Sequence, residues 1–269
     1  MLTKKLLVKK FNLIVSSFFI FILHLPFVFA RSIPRSIKNL PKKTVATIVL
    51  PITDSVFNPI NKLVQDSLRL LSDSTSNIYN ELKLSTLGLS KQVFDYSLQG
   101  LHKMASTGKL INSKIVSIVD FSQPSASKRL YIIDLEKKEV LFNTYVAHGK
   151  NSGQEMATQF SNQPTSNKSS LGFYITSHTY NGKNGFSLQL QGQEAGINDK
   201  AFERGIVMHA ADYVNESYIQ SQGWIGRSQG CPAVMPDVNK PIVETIKEGS
   251  CFFIYYPDEA YLHKSVMLN

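Results

Sequence analysis

A thiol and an imidazole carry the sharpest chemistry in this chain. Cys231 sits in Ser228-Gln229-Gly230-Cys231-Pro232-Ala233, and His209 precedes it by 22 residues at the end of the apolar run Ile206-Val207-Met208. Only a thiolate is a strong nucleophile, and a free thiol of pKa about 8.5 is ionised to a few per cent at neutral pH. An imidazole within reach can take that proton, so the two residues read as nucleophile and general base. A lone histidine at a strand end is ordinarily structural, and it is the turn that changes its reading. Gly230 permits backbone angles closed to other residues and the close approach of a substrate. Pro232 biases Cys231 toward an extended conformation and, having no N–H, cannot stabilise an oxyanion. The donors then expected for a tetrahedral intermediate are the backbone N–H groups of Gly230 and Cys231, with Gln229 in reserve. Each such donor is worth about 2.7–4 kcal/mol of barrier.

The other cysteine, Cys251, lies in the apolar run Ser250 to Tyr256 and reads as a small buried hydrophobe. In an oxidising compartment a Cys231–Cys251 disulfide is the alternative, and it would turn the chain into a non-catalytic wall-binding domain. No metal and no cofactor is expected: His148, His178 and His263 lack ligand-like spacing to thiols or carboxylates. His148, beside Gly149, is read either as lining a cleft with the substrate or as an ordinary strand-end residue.

The amino terminus bears on compartment. Met1 to Asn12 holds Lys4, Lys5, Lys9 and Lys10 without an acid, an uncharged apolar run follows from Leu13 to Leu23, and Val28-Phe29-Ala30 offers a cleavage site. Residues 1–30 therefore read as a signal peptide. If left uncleaved, Leu13 to Ala30 is just long enough to span a bilayer. Both outcomes place the remainder outside the cytoplasm, in the periplasm or cell envelope. The chain has 29 Lys+Arg against 20 Asp+Glu. That excess is not gathered into the stripe a nucleic-acid binder needs, so no nucleic-acid partner is expected.

These residues need a scaffold to position them. Residues 31–58 are basic, contain Pro34 and Pro41, and read as a tether. Residues 59–110 carry helical spacing: Pro59 to Ser72, then Ile78 to Leu84, then a helix capped by Ser90 with Val93, Phe94, Leu98, Leu101 and Met104 on one face. This segment reads as a packing or spacer module. From 111 to 269 the pattern changes to alternating, β-branched runs. Strands are predicted at Ile115 to Phe121, Arg129 to Leu135, Glu139 to Ala147, Leu171 to Ser177, Phe186 to Leu190, Arg204 to His209 and Cys251 to Tyr256. Asn151 to Ser170 reads as a long loop. Asp237 to Glu248 reads as a helix with Pro241 in its first turn and Gly249 closing it. The fold class is α+β, a mainly β catalytic domain preceded by a helical segment.

His209, eighteen intervening residues and Ser228-Gln229-Gly230-Cys231 together resemble the signature of the L,D-transpeptidase catalytic-domain family. Ser169-Ser170-Leu171-Gly172-Phe173-Tyr174-Ile175 resembles the family's glycine-centred strand. Val146-Ala147-His148-Gly149-Lys150 and Gly-Cys-Pro-Ala are closest to one subgroup. The resemblance covers about Ile115 to Pro257 and implies a β-rich domain that crosslinks or trims peptidoglycan stem peptides. It implies Cys231 as nucleophile and His209 as its base, with Ser228 and Gly230 shaping the turn and the oxyanion hole. Two positions depart from the pattern. Gln229 stands where most members have histidine, and Ala233 where many have a carboxylate-binding arginine, which leaves Arg227 or Arg204 to compensate. A cysteine peptidase acting on ordinary L-peptides shares the Cys–His pair; the glycine-centred strand and the spacing argue against it.

Overall fold

The computed structural model describes residues 75–269. The expected signal peptide, tether and first helix lie outside the described residues. Residues 75–81 are helical and a 3-10 turn follows at Leu84–Leu87. Helix α1 is Lys91–Ser106; the Ser90 side chain accepts a hydrogen bond from the Val93 amide, as its sequence position predicts. Its apolar stripe of Val93, Phe94, Leu98, Leu101 and Met104 is buried.

Eight strands form one mixed sheet: β1 Asn112–Asp120, β2 Leu130–Asp134, β3 Glu139–Thr144, β4 Gly172–Gly182, β5 Gly185–Gly192, β6 Val207–Ala210, β7 Ala233–Val234 and β8 Ser250–Tyr255. Their order across the sheet is β3-β2-β1-β8-β4-β5-β6-β7. Among the described strands, β1–β8 and β6–β7 pair in parallel and the others antiparallel. Strand β8 sits between β1 and β4 and is buried along its whole length, which explains why Cys251 to Tyr255 reads as a continuous apolar run rather than an alternating one. Cys251 pairs with Val116 on one side and Ile175 on the other. Both cysteines are free thiols, so the Cys231–Cys251 disulfide is not formed and the wall-binding alternative loses its premise.

The helix ahead of the sheet is not a separate spacer. Helix α1 packs against β1 and β8, and its buried face belongs to the same apolar core as the sheet. A methyl group on Gly100 would meet the Phe173 ring at 2.2 Å, so the helix seats directly on β4 at a residue without a side chain. Phe173 in turn stacks on Phe253 of β8 with centroids 4.1 Å apart.

Three short helices complete the described residues: α2 Glu216–Gln222, α3 Pro236–Ile246 and α4 Glu259–Lys264. The expected placement of Pro241 is corrected here. Pro236 occupies the first turn of α3, and Pro241 lies inside the helix, where its ring nitrogen cannot donate to the carbonyl four residues back. Strands β4 and β5 also extend beyond their predicted ends into a hairpin that closes at Gly182–Gly185. The strand expected from Arg204 begins only at Val207, because residues 201–205 form hydrogen-bonded turns.

Candidate active site

Strand pairing brings the two chemical residues together. In the parallel β6–β7 pair, His209 lies opposite Ala233, two residues beyond Cys231. Antiparallel pairing of His209 with Ser187 fixes the other edge of β6. Cys231 and His209 are both largely buried, and both line a single cleft of about 980 Å³.

The imidazole is held in one tautomer. His209 Nδ1 lies 2.7 Å from the carbonyl oxygen of Ala210. A carbonyl only accepts, so Nδ1 carries the proton and the neutral ring presents Nε2 as an acceptor. Here a backbone carbonyl does the orienting that an aspartate does in the serine triad. Burial lowers the His209 pKa, partly opposed by the bond to Ala210. Burial raises the Cys231 thiol; the Val207 backbone N–H and the Arg204 charge oppose it. At rest the cleft therefore holds a thiol and a neutral imidazole. The sulfur lies 3.7 Å from the Gly205 carbonyl, to which its S–H donates.

Ser228 knits the nucleophile turn. Its hydroxyl accepts from the Gly230 amide at 3.0 Å and donates to the Cys231 carbonyl at 2.7 Å. This corrects the expected oxyanion donors. The Gly230 N–H is already committed inside the turn, whereas the amides of Gln229 and Cys231 have no hydrogen-bond acceptor among the described residues. Gly230 itself has φ +126, and a Cβ there would approach the Lys168 carbonyl to 2.8 Å. No other residue fits without displacing that backbone. Gln229 and Arg227 are exposed and line the cleft. The Arg227 guanidinium donates to the carbonyls of Gly153 at 3.0 Å and Lys150 at 3.4 Å.

His148 does not line the cleft, which settles its two readings in favour of structure. It is fully buried, with its ring edge-on to Phe121 and its Nδ1 2.8 Å from Arg129 Nη2. A guanidinium can only donate, so Nδ1 is the acceptor and the ring is neutral. Arg129 is also fully buried and donates to the carbonyls of Gln123 and Val146. The segment that carries His148 braces the active turn from both ends. Ser228 N donates to the His148 carbonyl at 2.9 Å, Lys150 N donates to Ser228 at 2.7 Å, and Ala147 N donates to Ala233 at 2.8 Å.

Burial, and then the Arg129 charge, push the His148 pKa down to about 3. An unfolded histidine protonates near 6.5. Between those values the unfolded chain binds the extra proton, so stability present above about pH 6.5 is lost as pH falls toward 3. Urea unfolding at pH 7 and pH 5 should show a loss of about 2 kcal/mol from this residue. His148→Gln, which keeps an acceptor for Arg129, should remove that part of the pH dependence. An identical loss in the variant would assign the acid sensitivity elsewhere.

Arg204 escaped the sequence reading except as a stand-in for a missing arginine. It lines the cleft but spends its guanidinium on the loop, donating to the carbonyls of Ser161 at 2.7 Å and Lys168 at 2.6 Å and to the Ser170 hydroxyl. Its charge therefore stands fixed near the thiol. Lys150, Lys183, Asp212 and Tyr213 complete the walls. Lys150 ends the Val146 to Lys150 motif, but no sequence signal marks Lys183, Asp212 or Tyr213, because the hairpin tip and the 210–213 turn reach the site only through the fold.

Residues 85–255, more than half of the chain, match the model of the L,D-transpeptidase catalytic domain, and the chain belongs to that family. Solved structures with which it can be aligned include an L,D-transpeptidase from Mycobacterium smegmatis, at 13% identity and TM-score 0.34 over 53% of this chain and 59% of that one. An L,D-transpeptidase from Stackebrandtia nassauensis aligns at 18% identity and TM-score 0.31, over 62% and 68% of the two chains. The helical cell shape determining protein Pgp2 from Campylobacter jejuni aligns at 12% and 0.37, over 60% and 54%. The chain thus spans 59% of the first of these structures. No curated protein matches it.

Proposed function

We propose that this chain is an exported cysteine-dependent acyltransferase that acts on peptidoglycan stem peptides. The observation that carries the reading is a thiol and an imidazole lining one cleft, with the imidazole Nδ1 tied to Ala210 and Nε2 left to take a proton. Because the thiol is raised and the imidazole lowered, attack and proton transfer occur together rather than from a standing thiolate. His209 Nε2 takes the S–H proton as Sγ bonds to the carbonyl carbon between the L-centre of a diamino acid and a terminal D-alanine. The oxyanion is met by the amides of Cys231 and Gln229. Collapse breaks the C–N bond, and the departing D-alanine amine takes the proton from His209. A side-chain amine of a second stem peptide, or water, then attacks the thioester; its proton passes through His209 back to the sulfur. The lysine-rich start followed by the apolar run supports export.

Purified protein incubated with tetrapeptide muropeptides should release D-alanine. Mass spectrometry of the products will show either dimers, which report crosslinking, or tripeptides alone, which report trimming. Unaltered tetrapeptide in the presence of a titrated free thiol would refute the proposal.

A further inference from the structure

Four cations, Lys150, Lys183, Arg204 and Arg227, share the cleft with Cys231 and His209, against one acid, Asp212. None of the four is ion-paired with a carboxylate among the described residues. They divide into two kinds. Arg204 and Arg227 are held by backbone carbonyls, so their charges are fixed in the walls. Lys150 and Lys183 make no side-chain hydrogen bond among the described residues. Lys183 stands at the tip of the β4–β5 hairpin, between Gly182 and Gly185, and Lys150 follows the segment that braces the nucleophile turn. Two ammonium groups without a side-chain hydrogen bond thus line a concave site whose fixed charges are of the same sign. A cleft lined by one sign of charge concentrates its field on an entering ligand and favours an anion.

We infer that the cleft reads charge on its acyl donor, taking stem peptides whose side carboxyls are free in preference to the same peptides with those carboxyls capped as carboxamides. The inference rests on the function proposed above and adds the substrate class. A carboxamide keeps the shape and much of the hydrogen bonding of a carboxylate but removes its charge. Discrimination between the two therefore reports the unpaired cations rather than fit.

The test uses two synthetic tetrapeptides ending in D-alanine. They are identical except that the α-carboxyl of the γ-linked D-glutamate and the free carboxyl of the diamino acid are acids in one and carboxamides in the other. D-alanine release gives kcat/KM for each. The acid should be preferred by about tenfold, the effect of one charge-assisted contact. That ratio should fall toward one at high ionic strength and in the K150Q/K183Q double variant. A ratio near one in the native protein overturns the inference, as does a ratio that survives both high salt and the double substitution. If the double variant does not fold, the salt series on the native protein decides the matter. Failure of both peptides to react with protein of intact thiol would remove the proposed function, and this inference with it.

Discussion

Cys231→Ser will lose turnover on tetrapeptide stems by on the order of 10⁴-fold or more, the scale seen when a covalent nucleophile is removed. The fold will survive, because the two side chains differ little in size and the turn is tied by Ser228 and by the Ala147 and His148 backbone rather than by the sulfur. Cys251→Ser provides the contrast. That thiol is fully buried in the central strand, and burial drives its pKa far above the ordinary thiol range. It cannot supply a thiolate, and a hydroxyl in its place would be buried in an apolar strand. The Cys251 variant should therefore keep its turnover and lose stability, by about 1–3 kcal/mol. Urea unfolding and D-alanine release on the two variants separate these effects. An active Cys231 variant with a dead Cys251 variant would reverse the assignment.

His209→Gln should lower kcat by roughly 10²–10⁴-fold, the range for a positioned acid–base group. The more telling result lies in its pH profile. If the imidazole only removed the thiol proton, raising the pH toward the thiol's own pKa would restore the rate. That pKa is raised by burial, so thiolate appears only in alkaline solution. The departing D-alanine amine still needs a proton, which hydroxide cannot deliver. Most of the loss should therefore persist at high pH. Alkylation of Cys231 by a small electrophile, which needs thiolate but no leaving-group proton, should recover in the same variant. Full recovery of turnover alongside alkylation would reduce His209 to a base alone.

The strands and the turn that brings Cys231 to the cleft were legible because their signals are local. Alternating β-branched residues mark β1 and β2, and Gly-Cys-Pro marks a turn whatever surrounds it. Helix α1 announced itself by an N-cap and a five-residue apolar face. Helices α2 and α4 did not. Each is short, and α2 buries none of its residues, so no apolar period marks it even though Asn215 and Asp258 cap the two. Strand β7, two residues long, exists only because β6 and the Ala147 amide approach it.

The burial of Arg129 was illegible for a different reason. In a sequence, charge signals surface, yet Arg129 is fully enclosed by carbonyls, His148 and the Phe121 ring. His148 looked able to face a substrate because it neighbours a glycine. That glycine instead admits the Asn167 carbonyl, which a Cβ on Gly149 would meet at 2.5 Å. That the Gly230 amide is committed to Ser228 was equally hidden, since it depends on which way the Ser228 hydroxyl turns.

The proposed mechanism turns on a thioester at Cys231, a species that has a mass. Protein mixed with a tetrapeptide stem, quenched in acid during turnover and digested, should carry the acyl tripeptide, with terminal D-alanine gone, on the fragment containing Cys231. His209→Gln should form that adduct slowly, and prior alkylation of the thiol should prevent it. Release of D-alanine with no adduct on Cys231, or with the acyl group on another residue, would contradict the account.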